Sequence, residues 1–562
     1  LVHRGRGRAQ VRRGARRQRL RARGGGRPRG HGRGGARDAG DGGANIGNVD
    51  LQYGWVDDDT DFQPPQRYTD HRSVNIPNQE KITPIQAFKM LIDDDFLHLL
   101  KQETNRYARQ TMNREQREKW QTVTINELKK FLAIIMHMSI VKKSGIRDYF
   151  SVDPVVYAPF PSHVGLSRNR FQAILRYLHV NDNNTAKPRD DPEHDPLHKV
   201  RPLYDLLNRR FKDLYTASPN LTIDEAIAPF RGRLSFKVYM KNKPQKYGVR
   251  IECVADASSG VVVHMEIYSG QAGGLDNTVK ALVIRLLEDL GGKNHRVYMD
   301  RRYSSPELFQ ALLDRGFYPV GTVMKSRKHL PKAFDEAGRL AAGEKVTRRK
   351  GQLLALRWKD KRDVYMLSTT VPDTMENTGR PATEAGGHQQ QKPAAVLDYN
   401  SNKAGVDRHD QMSSYYPPAR KTVKWWKKLF FQLLTMALVN AHKYYDIHNE
   451  SKSGLECFIR QLAKDLSCVD LDDTPPHPTA SLETRRFRPG AHFPTRIPPT
   501  SEKQNPTRRC VLCKEVVDAV TKKPRRRESS WECCSCRVAL CVSCFWPYHC
   551  PNSRLAKAQY PT

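Results

Sequence analysis

Apolar residues recur at helical spacing between about residue 82 and residue 219. Thr83 followed by Pro84 is typical of a helix start, because Thr caps free backbone N–H groups and Pro fits the first helical position. Thr124 with Glu127 three residues later predicts a capping box at a second start. The apolar faces that follow, including a third helix, comprise Phe88, Leu91, Ile92, Leu128, Phe131, Leu132, Ile135, Phe171, Ile174, Leu175 and Leu178. The pattern predicts a mostly helical region over 82–219.

From Leu221 the apolar and polar positions alternate, which is typical of β-strands. The turn Ala257-Ser258-Ser259-Gly260 separates two alternating runs and so predicts a hairpin. The predicted elements are strands at 221–224, 249–255 and 261–267, a helix over 279–290, a strand at 296–299, a helix that begins at Ser305, and a strand at 318–323. The order is therefore β-β-β-α-β-α-β, with Asp224 and Asp300 at the ends of the first and fourth strands.

This order is typical of an α/β RNase H-like nuclease core, which is a mixed sheet flanked by helices. Residues 325–396 interrupt it with basic turns, a possible hairpin and a polar stretch, and we interpret them as an insertion domain. The predicted organisation is a disordered region (1–80), a helical part (82–219), the first part of the core (220–324), the insertion (325–396), the last core helix (397–412), a second helical part (413–469), a linker (470–505) and a cysteine-rich domain (506–553).

Composition adds a strong positive charge to this picture. The 562 residues contain 95 Lys+Arg against 60 Asp+Glu, a formal net charge of +35. Residues 1–37 hold fourteen Arg and no acid, yet removing them leaves about +21. An anionic polymer, most simply nucleic acid, is the expected partner. The Arg/Gly-rich residues 1–48 either bind nucleic acid non-specifically or have no specific role. No apolar run approaches the roughly 20 residues that cross a bilayer, and no signal-peptide core is present.

Eight of the eleven cysteines lie between Cys510 and Cys550, which indicates zinc binding more than disulfides. Eight ligands suit two structural Zn²⁺ ions, and we expect a cross-brace. Its first site would be Cys510 and Cys513 with Cys541 and Cys544, and its second Cys533 and Cys536 with His549 and Cys550. Cys534 is a spare that either replaces Cys550 or stays unligated. A RING- or PHD-like peptide-binding module is one physical interpretation of the domain.

The two strand-end acids suggest metal chemistry when a third acid joins them. A single Asp at a strand end is usually a turn residue, but Asp224 and Asp300 would lie on adjacent strands, and Asp407 on a later helix is well placed beside them. Mg²⁺ and Mn²⁺ prefer oxygen ligands, and two such ions can activate an attacking water or 3′-hydroxyl and stabilise the leaving oxygen. Without metal, converging carboxylates repel one another.

These motifs resemble the piggyBac transposase family over residues 80–550. Each string is weakly specific, but their order and spacing together are highly specific. The matching strings are Thr222-Ile223-Asp224-Glu225, Phe230-Arg231-Gly232-Arg233, Tyr239-Met240-Lys241-Asn242-Lys243-Pro244, Tyr298-Met299-Asp300 with Tyr303-Ser304-Ser305, Gly405-Val406-Asp407 with Asp410-Gln411-Met412, Ser167-Arg168-Asn169-Arg170-Phe171, Leu178-His179, Gly321-Thr322-Val323 and Trp425-Trp426-Lys427-Lys428.

The resemblance implies a cut-and-paste DNA transposase that works as a dimer at TTAA targets through hairpinned ends. It carries the aspartate triad over to Asp224, Asp300 and Asp407, with Asp410 as an auxiliary acid and two Mg²⁺ or Mn²⁺ ions as cofactors. It also makes the two helical parts dimerisation and DNA-binding regions, and it implies that the cysteine-rich domain binds transposon ends. Many members are domesticated, so the alternative is a catalytically inactive DNA- or chromatin-binding derivative. A zinc-dependent ubiquitin ligase is a third, weaker hypothesis.

One departure from the family pattern lies beside the second aspartate. The family usually has Asn and an aromatic there, whereas this chain has Arg301 and Arg302. Two cations at this place either compete with the metal ions, pair with Asp300 or bind the scissile phosphate. If they poison the site, restoring Asn-Phe is predicted to raise activity.

Basic residues flank the predicted acids on two loops. They comprise Lys237, Lys241, Lys243 and Lys246 after the first strand, and Lys325, Arg327 and Lys328 after the fifth. They either hold DNA phosphates against the carboxylates or form solvated loops. The run Lys522–Arg527 predicts a nuclear import signal or a DNA contact, and so a nuclear location.

Overall fold

The computed structural model describes residues 54–549 except 58, 60, 61, 77–79, 154, 242, 244, 271–275, 382–388, 418–421, 468–491, 493, 516–525 and 535. The predictions for residues 1–48 and for most of the run Lys522–Arg527 lie outside the described residues.

Seven helices precede the main sheet in the described part of the chain. They are α1 (Pro84–Lys89), α2 (Asp94–Thr111), α3 (Arg114–Glu118), α4 (Ile125–Ile140), α5 (Pro159–Val164), α6 (Arg168–Tyr177) and α7 (Arg201–Leu214). Thr83 and Thr124 form the predicted capping structures. Each threonine side chain accepts from the backbone N–H of the residue three positions later, and the side chain of that residue accepts from the backbone N–H of the threonine. The predicted helical region and its starts are confirmed.

A nine-stranded mixed sheet carries the predicted alternation. After the two-residue β1 (Ser73–Val74) and β2 (Tyr215–Thr216), the strands are β3 (Asn220–Pro229), β4 (Val238–Tyr239), β5 (Tyr247–Asp256), β6 (Val262–Ile267), β7 (Arg296–Met299) and β8 (Tyr318–Thr322). The helices α8 (Val279–Leu287) and α9 (Pro306–Leu313) alternate with the last two, as predicted. β3 pairs antiparallel with β5 and parallel with β7, and β7 pairs parallel with β8. This places β3 and β7 side by side.

The segment predicted as an insertion extends this same sheet. After the short α10 (Ala333–Glu336), its strands are β9 (Lys345–Lys350), β10 (Leu353–Lys359), β11 (Asp363–Ser368), β12 (Met375–Pro381) and β13 (Gln389–Pro393). β11 pairs antiparallel with β8, and β10 and β9 follow it, so the predicted hairpin is present and covers the free edge of β8. β12 and β13 form a separate pair. The interruption seen in the sequence is therefore a continuation of the sheet.

Four helices follow in the described part of the chain; the first three pack against the sheet, and the fourth packs against α4 and α1. They are α11 (Ala394–Asn402), α12 (Gly405–Tyr415), α13 (Trp425–His448) and α14 (Leu455–Ser467). α13 is buried over most of its length, and its Asn440 exchanges hydrogen bonds with the backbone of Val262 on β6 (3.0 and 2.8 Å). No helix in the described ranges combines the length and apolarity needed to cross a membrane.

An N-terminal strap, the described residues between 54 and 76, packs on the sheet and helices. Trp55 is 1% exposed and its indole N–H donates to the His329 carbonyl (3.1 Å). Val56 exchanges two backbone hydrogen bonds with Arg349 on β9 (2.7 and 2.8 Å), while Asp59 pairs with the buried Arg349 guanidinium. At the other end β1 pairs with β2. The sequence analysis predicted a disordered or linker segment here. That prediction was wrong because the acidic run is typical of such segments, while the residues that hold the strap lie far away in the sequence.

The cysteine-rich end forms a small unit with its own core. Its elements are β14 (Pro494–Arg496), β15 (Arg508–Arg509), α15 (Val511–Glu515), β16 (Glu528–Ser529), β17 (Trp531–Cys533) and α16 (Val542–His549). β14 pairs antiparallel with β17, so residues assigned to the linker join this unit. Its buried core includes Leu540 and Tyr548 beside cysteine side chains.

Candidate active site

Two of the predicted acids lie at the same level of adjacent parallel strands. Asp300 follows the end of β7 as predicted, but Asp224 lies within β3, which continues to Pro229 because its pairing with β5 extends that far. Ile223 on β3 lies opposite Met299 on β7, so Asp224 and Asp300 are the next residues along each strand. Asp300 follows the last residue of β7, where its side chain accepts from the Arg302 backbone N–H (2.8 Å). Asp224 accepts from the Glu225 backbone N–H (2.7 Å). The strand pairing therefore brings the first two predicted acids together.

A close contact between α12 and β3 places the third acid on the same face. Val406 donates its backbone N–H to the Thr222 hydroxyl (3.2 Å), and a Cβ at Gly405 would lie 2.4 Å from that hydroxyl. Glycine is therefore required for this approach. Thr222 and Asp224 are two residues apart on one strand and share a face. Asp407, two residues beyond Gly405, has a side chain 66% exposed.

Lys243 joins the acids electrostatically. Its ammonium lies 3.9 Å from Asp407 Oδ1 and 4.0 Å from Glu225 Oε1, and it donates to the Glu225 carbonyl (3.0 Å). Burial opposes the charge of Lys243, but the charges of Asp224, Glu225, Asp407 and Asp410 together raise its pKa. Lys243 was predicted as a phosphate contact, and it stands among the carboxylates.

Burial acts strongly on the acids themselves. It raises the pKa of Asp224 to about 8, against the charge of Lys243, and Glu225 adds to the rise. Burial also raises the pKa of Asp300 and of Asp410. The pKa of Tyr399, on α11, is raised to about 12 by burial and then by the charges of Asp300, Asp224 and Asp407. Tyr399 thus lies within the electrostatic influence of all three acids.

The donor set fits a hard divalent cation. Carboxylate oxygens are the ligands that Mg²⁺ and Mn²⁺ prefer, and the raised pKa values indicate buried carboxyl groups that gain from a nearby positive charge. The arrangement is open: within the described residues, no three of these acids bring their oxygens within 4.8 Å of one another. Asp224, Asp300 and Asp407 are the residues that would hold the ions.

The guanidinium of Arg302 makes its ion pairs in a buried charge network of two glutamates, and its charge also opposes the rise that burial causes in the pKa of Asp300. It donates to both oxygens of Glu252 (2.8 and 3.1 Å) and lies 3.4 Å from Glu225 Oε2. The two glutamates are cross-strand partners, so they share the face of the sheet opposite to Asp224. Tyr303 also contacts both glutamates. Of the three sequence interpretations of Arg302, pairing with Asp300 occurs only through the backbone N–H.

Sequence reasoning missed this network, although the sequence contains an indication of it. Glu252 is only 1% exposed and lies within an apolar alternating run, where a charged residue requires a partner. Its partners are Arg250 (2.6 Å) on the same strand and Arg302 on a distant loop. Only the fold brings the second one near.

The other predicted phosphate contacts differ in their surroundings. Lys241, Lys246 and Lys328 are exposed. Lys237 donates to the Gly232 carbonyl (3.0 Å), and Lys325 pairs with Asp335 (2.8 Å). Arg327 donates to the carbonyl oxygens of Arg301 and Arg302 and so braces the loop after Asp300.

The cysteine-rich end brings together four sulfur atoms in the first predicted set. Cys510, Cys513, Cys541 and Cys544 place their ligand atoms within 4.8 Å of one another, with Cys513 Sγ 3.7 Å from Cys541 Sγ and 3.4 Å from Cys544 Sγ. All four sulfurs belong to Cys-x2-Cys pairs, and a set of four thiolates suits tetrahedral Zn²⁺.

The second group has a different membership from the predicted one. His492, Cys533, Cys536 and His549 place their ligand atoms within 4.8 Å of one another. Cys550 lies outside the described residues, and Cys534 belongs to neither group. His549 Nδ1–H donates to the Phe545 carbonyl (2.7 Å), which leaves Nε2 facing Cys536 Sγ at 3.7 Å. His492 was missed because it lies in the stretch interpreted as linker, 41 residues before Cys533.

Comparisons with known proteins match this chain to transposases and to transposable element-derived proteins. A family model described as Transposase IS4 matches residues 83–442. The human PiggyBac transposable element-derived protein 2 is 24% identical over 457 residues, covering 77% of this chain and 73% of that protein. The human PiggyBac transposable element-derived protein 5 is 22% identical over 438 residues, covering 74% and 80%. A solved piggyBac transposase, in a synaptic complex with hairpin DNA, has a TM-score of 0.64 at 22% identity and covers 84% of this chain and 98% of that one.

Proposed function

Because the chain belongs to the piggyBac-type Transposase IS4 family, we propose that it is a cut-and-paste DNA transposase or a domesticated derivative that cleaves and joins DNA strands. The observation that supports this proposal is that Asp224 and Asp300 follow paired residues of adjacent parallel strands, while α12, which carries Asp407, packs on the first of these strands through the contact of Val406 with Thr222. The fold assignment that goes with it is an RNase H-like core.

In this proposal each side chain of the site has a distinct task. Mg²⁺ or Mn²⁺ ions, when bound, would supply the activation of the attacking hydroxyl and the stabilisation of the leaving oxygen. Asp224 would hold the ions from within β3, Asp300 from the end of β7, and Asp407 from α12. Asp410, one turn further along α12, is the auxiliary acid. Lys243 lies 3.9 Å from Asp407 and is placed to turn from the acids to a DNA phosphate when the ions arrive.

The remaining parts of the proposal concern partners. The positive charge of +35 suits double-stranded DNA, with transposon ends and TTAA targets as the expected sequences. The related structure is a synaptic complex with hairpin DNA, which supports DNA binding here. A homodimeric assembly is part of the proposal on the family resemblance alone. The cysteine-rich end would hold two structural Zn²⁺ ions and contact transposon ends. A nuclear location follows from this substrate.

The test compares Asp300→Asn with the unmutated protein in excision of a marked piggyBac-type element in cells. We expect excision to fall by at least a hundredfold, because the variant loses a charged ligand. Asp213→Asn, at an exposed position in the last turn of α7, is the matched control and should excise normally. Equal excision by Asp300→Asn and the unmutated protein would remove Asp300 from the mechanism.

A metal-binding measurement tests the acidic site without depending on which DNA ends the protein recognises. Mn²⁺ should raise the Tm of the unmutated protein, because it binds only the folded site, and should raise that of Asp300→Asn much less. The rival function is a DNA- or chromatin-binding derivative without the reaction, and the open arrangement of the three carboxylates favours it. If the unmutated protein showed no excision and no rise in Tm with Mn²⁺, that result would support the rival function.

A further inference from the structure

The hairpin of β4 and β5 presents two exposed aromatic rings. Tyr239 and Tyr247 are cross-strand partners, 56% and 44% exposed, with ring centroids 4.9 Å apart and planes inclined at 46°. Water contacts a large part of both rings, although tyrosines with this much apolar area usually pack against protein. The pair is therefore a surface available to a ligand with an aromatic face.

The tyrosine pair lies on the same face of the sheet as the acids. Tyr247 and Cys253 are six residues apart on β5 and so point to the same side, and Cys253 is the cross-strand partner of Asp224. Six residues of strand span about 20 Å. The loop between the two tyrosines carries Lys243, which reaches Asp407. The rings thus flank the acids along the direction of β5.

The charge around the rings suits a nucleic acid strand. Residues 226–251 contain seven Lys and Arg and no acidic residue. Arg231, Arg233, Lys241 and Lys246 are exposed, and the Lys237 ammonium lies 5.8 Å from the centre of the Tyr247 ring. Aromatic rings inside a basic groove are the usual arrangement for binding unpaired nucleotides.

The hairpin is also held in a fixed position. Phe236, just before β4, is buried against Trp425 at the start of α13, with ring centroids 5.4 Å apart. Next to Tyr247, a Cβ at Gly248 would lie 2.3 Å from the Ala228 carbonyl oxygen, so glycine lets β5 approach β3 closely. A preformed platform loses little conformational entropy when it binds.

We propose that Tyr239 and Tyr247 form a stacking platform for an unpaired nucleobase of the DNA held at the acids. The distance of about 20 Å corresponds to about six nucleotides of one strand from the phosphate at Asp224. A base reaches the rings only after it leaves the duplex stack, so the platform selects DNA that is opened or nicked beside the cleavage point. This inference rests on the proposed DNA-cleaving function.

The experiment measures binding of the full chain to two TTAA-containing duplexes in Ca²⁺, one fully paired and one with eight unpaired nucleotides beside the TTAA, a length that includes the sixth position. 2-Aminopurine is placed in turn at each unpaired position. We expect Tyr239→Leu to weaken binding of the gapped DNA about tenfold and leave the paired duplex unchanged. One 2-aminopurine position should be quenched by the unmutated protein and not by Tyr239→Leu.

Matched variants separate stacking from other roles. Tyr239→Phe keeps the ring and should bind within twofold of the unmutated protein, whereas a loss equal to that of Tyr239→Leu would assign the effect to the hydroxyl and overturn the proposal. Tyr157→Leu, at an exposed tyrosine outside the hairpin, is the control. Unchanged gapped-DNA binding by Tyr239→Leu and Tyr247→Leu would also overturn it. Failure of the unmutated protein to bind either DNA would instead contradict the proposed function.

Discussion

At the scale of single residues, Arg302 changes the meaning of the departure from the family pattern. Two cations beside a metal-binding carboxylate look harmful in the sequence. In the fold, the guanidinium of Arg302 neutralises Glu252 and Glu225 on the opposite face of the sheet, and only its backbone N–H contacts Asp300. Arg302 therefore supports the loop that carries Asp300.

Replacing Arg302 by Phe should destabilise the protein and lower its activity. Glu252 would keep only Arg250 and Tyr303, and Glu225 would lose a cationic partner, at a cost of about 2 to 3 kcal/mol in the free energy of unfolding. Urea unfolding measures this cost. Arg301→Asn is the control and should change stability by less than about 0.5 kcal/mol, because Arg301 is exposed. A gain in activity in the Asn-Phe double variant would restore the poisoning hypothesis.

At the scale of elements, the sequence predicts starts and faces better than it predicts partners. Thr83, Thr124 and Ser305 are helix caps as expected, because capping depends on neighbours three residues away. The end of β7 was also predicted correctly, whereas β3 continues to Pro229, five residues beyond the predicted end at Asp224. The pairing of β11 with β8 and of β14 with β17 was not, since each joins segments far apart in sequence. His492 escaped notice for the same reason.

His492 should contribute to metal binding although it lies in a Pro-rich stretch. Its Nδ1 is 3.3 Å from Cys533 Sγ and 3.4 Å from Cys536 Sγ, so His492→Ala would remove a ligand from the second group. We expect the zinc content of the purified full chain to fall from about two towards one ion per chain. Cys534→Ser is the control and should retain both ions. A full zinc content in His492→Ala would assign the position to Cys550.

At the scale of the whole molecule, segments that the sequence analysis assigned to separate domains share one large buried cluster. Apolar residues from the strap, both helical parts and the sheet belong to the same buried cluster. The motifs that carry Asp224 and Asp407 are therefore positioned by contacts such as Gly405 against Thr222, which no local pattern contains. Spacing along the chain suggested their roles, while their convergence depends on packing.

This shared core contains histidines that make stability depend on pH. Burial lowers the pKa of His137, His179 and His295 to about 4. The unfolded chain takes up protons at these side chains near pH 6.5, and the folded chain only near pH 4. The stabilisation is complete above pH 6.5 and is lost as the pH falls towards 4, at about 1.4 kcal/mol per unit for each histidine.

The free energy of unfolding should therefore drop steeply between pH 6.5 and 5, as urea titrations would measure. His179→Gln should make this drop shallower, because one protonation site is gone. His98→Gln, at an exposed position on α2, should leave the slope unchanged. Equal slopes in all three proteins would show that His179 titrates alike in the folded and unfolded chain.

The strap has a consequence for how the protein is made. The docking site of Trp55 includes His329, 274 residues later in the chain. Ribosomes add about 5 to 20 residues per second. The docking site of Trp55 is therefore completed roughly 15 to 55 seconds after Trp55 itself is synthesised. Throughout that interval the nascent chain exposes a large apolar side chain to which holdase chaperones can bind.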